Sequence, residues 1–272
     1  MTLKPGLYII ATPIGNLEDI TLRAINTLKN VDLILCEDTR HSQTLLSHYA
    51  ITKKLWSYND YSTELVRNKI IEEIKNNKSI ALISDAGTPL ISDPGYKLVE
   101  QLHKHNITVT TCPGPCSPVA ALTISGCPTN RFVFSGFLPT QNKDRETELT
   151  KVKTYSESCI FFSTPKKLAK DLLDIRNIVG DIEICIIREL TKIFEQRIFN
   201  KVSNLISSHE EKSLKGEIVI IIPPQHSCAN TNEMAEQIKK LKALNFSSKD
   251  IVKIITILEP NLSKKEIYNL TI

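Results

Sequence analysis

Two carboxylates and a guanidinium stand almost side by side in Glu37-Asp38-Thr39-Arg40, directly after an apolar run that ends at Cys36. Such a group can move a proton from a positioned carboxylate, hold a substrate, or close into an ion pair that fixes its own loop. Three more segments take the same place at the end of an apolar run. The first is Thr12-Pro13-Ile14-Gly15-Asn16-Leu17, and the second is Ser84-Asp85-Ala86-Gly87-Thr88-Pro89, continuing into Ser92-Asp93-Pro94-Gly95. The third is Cys112-Pro113-Gly114-Pro115-Cys116-Ser117-Pro118. Of the nine glycines in the chain, Gly15, Gly87, Gly95 and Gly114 fall in these segments, where a missing side chain lets backbone approach a ligand. Gly and Pro also serve ordinary turns, and Asp93-Pro94 and Ser117-Pro118 read equally well as helix starts.

Bringing four such segments together calls for a parallel sheet, because ligands of open parallel sheets bind beyond the carboxyl ends of the strands. Short β-branched runs at 6–11, 32–36, 79–84 and 107–111 alternate with amphipathic stretches, the pattern of strands joined by crossover helices. A second series, near 132–135, 159–163, 182–187 and 217–222, predicts another α/β domain. After Pro223-Pro224 the texture changes, and three short helices are expected with caps at Asn230, Ser247 and Ser263. The expected organisation is α/β: one α/β domain over 1–114, a second over 115–224 that completes a ligand cleft, and a helical module over 225–272.

Composition and missing motifs narrow the chemistry. At 272 residues, 41% hydrophobic and 24% charged, the chain is long enough for two cores and too apolar for disorder. No apolar run approaches the roughly 20 residues of a membrane-spanning helix. The first residues lack the features of a signal peptide, so a cytoplasmic location is expected. Seven cysteines without C-x-x-C pairing read as free thiols. Neither a G-x-G-x-x-G nor a G-x-x-x-x-G-K-[ST] loop is present, which argues against dinucleotide or nucleoside triphosphate chemistry. Without H-E-x-x-H, an EF-hand pattern or a cysteine quartet, no metal is expected. The absence of G-x-S-x-G removes support for an acyl-enzyme. A net charge of +4 permits an anionic partner without demanding one.

Taken together, the four loop segments resemble the signature loops of the tetrapyrrole-methylase-like family, and within it the branch that methylates small-subunit ribosomal RNA. Later strings agree: Ser125-Gly126-Cys127-Pro128-Thr129-Asn130-Arg131-Phe132, Gly136-Phe137-Leu138-Pro139, Arg188-Glu189-Leu190-Thr191-Lys192, Lys215-Gly216-Glu217 and Lys264-Lys265-Glu266-Ile267-Tyr268. The resemblance covers essentially the whole chain. It implies S-adenosylmethionine as methyl donor, bound between two α/β domains, and 2′-O-methylation of a cytidine in the decoding region of 16S ribosomal RNA, by a homodimer. It places the donor against Pro13, Ile14, Gly15, Asn16 and Leu17, against Asp85, Ala86, Gly87, Thr88 and Pro89, against Asp93, Pro94 and Gly95, and against Pro113, Gly114, Pro115 and Ser117. For such a transfer Glu37 and Asp38, beside Arg40, are the candidates for a general base, a structural ion pair being the competing role.

Arg23, Arg40, Arg131, Arg188 and Lys192 lie in or near the signature strings and are the cations expected to meet RNA. One stretch departs from the family pattern. Phe162-Ser163-Thr164-Pro165-Lys166-Lys167 stands where a Tyr-Glu-Ser-Pro-His-Arg-like sequence is expected, so a carboxylate is missing while a basic pair is kept. The alternatives are a methyltransferase of the same fold acting on a tetrapyrrole or a protein side chain, and a non-catalytic RNA-binding protein.

Overall fold

Runs such as Leu33-Ile34-Leu35-Cys36 are buried at every position, as strands covered on both faces must be. In the computed structural model, which describes residues 3–211, 216–225, 231–258, 267–268 and 270, five strands form the first sheet, of which this one and Ser79–Leu82 are buried throughout. They are β1 (Gly6–Ile10), β2 (Leu33–Cys36), β3 (Leu55–Ser57), β4 (Ser79–Leu82) and β5 (Val109–Cys112). Every pairing is parallel, in the order β3-β2-β4-β1-β5. Parallel neighbours need crossovers, and α1 (Leu22–Asn30), α2 (Thr39–His48), α3 (Glu64–Lys75) and α4 (Tyr96–Lys104) supply them. Leu28, Ile34 and Leu46 fill the core on one face, and Leu7, Leu35, Ile70 and Leu98 the core on the other.

Local capping chemistry sets where α1 and α2 begin and therefore where the loops before them are held. Thr21 caps α1, its hydroxyl accepting from Ala24 N at 3.1 Å. Asp38 caps α2, its carboxylate accepting from Arg40 N at 2.8 Å, which leaves Glu37 alone between the strand and the cap. Asp93-Pro94, expected as a possible helix start, lies in the loop, and α4 opens two residues later with Gly95 as its cap at φ 139°.

The second sheet has β6 (Phe132–Phe137), β7 (Ser158–Ser163), β8 (Glu183–Arg188), β9 (Gln196–Lys201) and β10 (Ile218–Ile222), in the order β6-β7-β10-β8-β9. It is mixed: β6 and β7 are parallel, and the other three pairings are antiparallel. The connection from β8 to β9 is too short for a crossover, so those two strands form a hairpin. Helices α5 (Ser117–Ser125), α6 (Asn142–Val152), α7 (Pro165–Ile178) and α8 (Val202–Glu211) accompany this sheet. Ile14, from the loop after β1, is packed into the cluster of Ala121, Leu122, Ile160, Ile187 and Val219, so the first sheet's loop is part of the second sheet's core.

Residues 1–150 and 157–223 form one compact unit, and residues 151–156 with 224–272 form another. In the latter, α9 (Thr231–Ala243) and α10 (Ser248–Leu258) bury Ile238, Ile251 and Ile255 with Ile267. Ser247 caps α10 as expected, accepting from Asp250 N at 3.2 Å. The caps expected at Asn230 and Ser263, together with Cys228, Lys215 and most of the string 264–268, lie outside the described residues. Cys36, Cys112, Cys127, Cys159 and Cys185 are free and buried, and Cys116 is free and half-buried. No helix among the described residues is long and apolar enough to cross a membrane.

Candidate active site

The loops at the carboxyl end of the first sheet are tied to one another by backbone polar groups that the strands leave unpaired. Thr12 N donates to Gly87 O at 2.8 Å and Gly87 N returns a bond to Thr12 O at 3.1 Å. The Thr12 hydroxyl, fully buried, donates to Ser84 O at 3.2 Å. The Thr88 hydroxyl donates to Pro115 O at 2.8 Å, joining the loop after β4 to the loop after β5. Close approach explains two of the glycines. A Cβ on Gly87, at φ 83°, would stand 3.1 Å from Ile14 Cγ2, and one on Gly15 would stand 2.6 Å from Lys192 Cγ.

Between these loops and the face of the second sheet lies a cavity of about 360 Å³. The first sheet contributes Ile14, Ala86, Ser92 and Asp93, and α5 contributes Ser117 from its first turn. The facing wall is apolar, with Phe137, Phe162, Ile187, Leu190, Ile218 and Val219, and polar groups enter it at Ser163, Thr164 and Glu217. Phe162 packs edge-on against both Phe134 and Phe137. Positive φ occurs in the lining at Ser92 and on either side of lining residue Leu190, at Glu189 and Thr191.

A buried ion cluster fixes the far wall. Arg145 Nη2 donates to Asp171 Oδ1 at 2.7 Å and Arg145 Nε to Asp174 Oδ2 at 2.7 Å, while Arg145 Nη1 reaches Pro139 O at 3.0 Å. The second oxygen of Asp171 accepts from the Ser163 hydroxyl at 2.6 Å, so the end of β7 is pinned where it meets the cavity. This pinned end lies within the stretch Phe162-Ser163-Thr164-Pro165-Lys166-Lys167. Its Lys167 ammonium lies 5.3 Å from the centre of the Phe137 ring, a cation–π contact.

Acids gather on the near side. Partial burial pushes the Asp93 carboxyl up to about 6; Glu37, Asp85 and Asp60 add to the rise and the Ser84 hydroxyl opposes it. Glu37 is also raised, by desolvation first and then by Asp85, Asp60 and Asp38. Asp38 moves the other way, held low by bonds from Arg40, whose Nη2 lies 3.2 Å from Asp38 Oδ2. Asp85 Oδ1 is buried without a hydrogen-bond partner among the described residues, and His41 Nε2 lies 3.2 Å from the Asp85 carbonyl oxygen, linking α2 to the loop after β4.

Of the donor-site residues expected from the sequence, Ile14, Ala86, Asp93 and Ser117 line the cavity. Gly15, Asn16 and Leu17 instead line an adjoining open groove with Glu189, Thr191 and Lys192. Pro13, Gly87 and Pro89 are buried supports, Pro94 is half-buried, and Asp93 and Gly95 border a small second cavity beside Tyr58. Gly114 lies against Ala11, Pro115 receives the Thr88 bond, and Asp85, Thr88 and Pro113 are bracing or flanking positions rather than lining ones. Glu37, Asp38 and Arg40 are outside the cavity lining, with Glu37 coupled to it electrostatically through Asp93. The sequence expects the second domain to complete the cleft but names no residue of this facing wall. Ile187 and Val219 look like ordinary strand-core residues in sequence, whereas Phe137, Leu190 and Glu217 fall inside the later signature strings and were within reach of that signal.

Comparison with known proteins is consistent with this geometry. The sequence profile of the tetrapyrrole (corrin/porphyrin) methylases matches residues 6–206. The chain belongs to that family. A Rickettsia prowazekii protein named ribosomal RNA small subunit methyltransferase I is 46% identical, over 99% of this chain and 97% of its own length. A protein of the same name from Halalkalibacterium halodurans is 38% identical over 98% of this chain and 94% of its own length. Among solved structures, diphthine synthase superposes with a TM-score of 0.64 at 12% identity, covering 80% of this chain and 89% of its own. Cobalt precorrin-4 methyltransferase gives 0.57 at 16% identity, covering 80% and 94%. At these identities the structural likeness concerns the fold.

Proposed function

We propose that this family member transfers the methyl group of S-adenosylmethionine to the 2′-hydroxyl of a cytidine in the decoding region of small-subunit (16S) ribosomal RNA, as a cytoplasmic homodimer. The observation that carries the reading is the near full-length likeness to the Rickettsia relative in a chain whose family loops close one side of a deep cavity. The residues present fit the donor. The cavity volume lies within the range of small-molecule sites. Ile14, Phe137, Phe162 and Leu190 offer apolar walls for an adenine ring, and Asp93 with the Ser92, Ser117 and Thr164 hydroxyls offers partners for an ammonium and for ribose hydroxyls. The orphaned Asp85 oxygen is one further acceptor, one residue from the lining.

When bound, the donor supplies an electrophilic methyl group on a sulfonium centre. The chain's task is then to exclude water, to orient the acceptor and to take up one proton. Positive charge disperses as the methyl moves, so positioning and desolvation by the apolar wall supply much of the acceleration. Glu37 is the proton acceptor in this reading, because desolvation and then the neighbouring acids raise its carboxyl above the ordinary range and so strengthen it as a base. Asp38 and Arg40 hold the loop that presents it.

The test is transfer from labelled S-adenosylmethionine to unmodified small ribosomal subunits and to naked RNA, followed by alkaline hydrolysis. Label in an alkali-resistant dinucleotide is expected, because a methylated 2′-hydroxyl blocks cleavage. Donor binding with no label in either RNA would overturn the substrate assignment in favour of a tetrapyrrole or protein acceptor. Failure to bind the donor would favour a non-catalytic RNA-binding protein.

A further inference from the structure

Most of the cations expected to meet RNA are engaged within the protein. Arg23 Nη2 donates to Thr111 O at 2.9 Å, Arg131 faces Glu157 at 3.8 Å, and Lys192 lies 2.9 Å from both Glu189 and Glu217. Arg40 differs. Its side chain is 90% exposed, and its ion pair is with Asp38 of its own loop.

Arg40 is the first of a row of cations around the open edge of the first sheet. With Thr39 and Gln43 it borders a shallow groove whose other wall is Lys53 and Leu55 of the β3 edge. Strand alternation sends Leu55 to one face of the sheet and Trp56 to the other. On that second face the Trp56 ring carries two ammoniums, Lys54 at 5.4 Å and Lys69 at 4.6 Å from its centre. None of Lys53, Lys54 and Lys69 forms an ion pair among the described residues. The acids that face them are already engaged, Asp32 with Ser79 and Glu73 with Lys78. The row leads into the candidate site, because the Ser57 hydroxyl, at the end of β3, donates to Glu37 O at 3.3 Å.

We propose that this cationic edge is where the RNA strand lies, with its phosphates against Arg40, Lys53, Lys54 and Lys69 and with Trp56 beneath them. The proposal rests on the RNA reading above and adds the surface and direction of approach. Charge complementarity supports it: Arg40, Lys53, Lys54 and Lys69, with Lys78 beside them, outnumber the acids they act on, Asp38, Asp32 and Glu73, along an edge that runs to Glu37. Lysines also guard open strand edges against pairing with another chain, but that role predicts no response to RNA.

Trp56 is the one tryptophan of the chain, which makes it a built-in reporter. Titration of the full chain with a short single-stranded RNA is expected to change its emission. Charge reversal of Lys53, Lys54 and Lys69 to Glu should weaken binding and reduce the slope of log affinity against log salt by about 2, from about 0.7 per lost phosphate contact. The neutral variant with all three as Gln, checked by far-UV circular dichroism, should show a reduced slope and guards against a folding artefact. Reversal of Lys29, Lys143 and Lys170, on other elements, should leave Trp56 responsive. An unchanged slope in both edge variants, with wild type still methylating RNA, would overturn the surface and leave the RNA reading standing. Wild-type protein that binds no RNA even at low salt would overturn both.

Discussion

The two walls of the cavity are built by opposite strategies. The near wall is made of loops at the ends of parallel strands, held by hydrogen bonds such as Thr12 to Gly87 and Thr88 to Pro115, and it carries Asp93 and the acids around it. The far wall is the face of a mixed sheet, apolar and continuous with its own core, and it is anchored by the buried Arg145–Asp171–Asp174 cluster. Chemistry is therefore concentrated where backbone irregularity is tolerated, and shape is supplied where the backbone is regular. Substitutions on the near wall should alter catalysis and binding, and those behind the far wall should alter stability first.

The largest effect expected on the near side is for Glu37→Gln, a fall in single-turnover methyl transfer of about 100- to 10,000-fold with donor affinity and thermal midpoint retained. A rate within a few-fold of wild type would remove Glu37 as the base. On the far side Arg145→Ala leaves Asp171 buried without its counter-charge and should cost about 3–5 kcal/mol in chemical denaturation. Should it instead impair transfer in a protein of normal stability, the contrast between the walls would fail.

A third change separates binding from stability by pH. Asp93 titrates near 3.8 when free and near 6 in the fold, so the folded state holds its proton more tightly. Its contribution to stability falls as pH rises between those values and stays low above them. Asp93→Asn should thus stabilise the protein by about 1–3 kcal/mol near neutral pH and by nothing in strong acid, while weakening donor binding measured by calorimetry. The smallest effect is expected for Thr88→Val, which removes the bond to Pro115 at a cost of about 1 kcal/mol, read as a modest rise in donor Kd.

The strands with long β-branched runs were legible in the sequence, and β1, β2, β4, β5, β6, β7, β8 and β10 all fall where periodicity put them. The two that were not, β3 and β9, are both edge strands. Leu55-Trp56-Ser57 is three residues long behind two lysines, and Gln196–Lys201 is mostly exposed, so neither carries an apolar signal. Apolar type alone does not mark burial: Leu22 and Leu65 sit in the first turns of α1 and α3 and are each 80% exposed. The near wall of the site was legible because turn residues mark it. The far wall was not, because Ile187, Ile218 and Val219 differ from core residues only in what they face. The mixed character of the second sheet was equally hidden, since it depends on how strands pair and not on what they contain.

The strand order of the second sheet has a consequence for synthesis. The first sheet is complete once Cys112 has been made, whereas the central strand of the second, β10, ends at Ile222 and is the last of the ten to emerge. Until then β7 and β8 have no neighbour between them, and each presents an open hydrogen-bonding edge of strongly apolar sequence. A nascent chain stalled before Ile218 therefore carries a finished half beside an aggregation-prone one, and a few residues near the end of the fold decide whether the rest is safe.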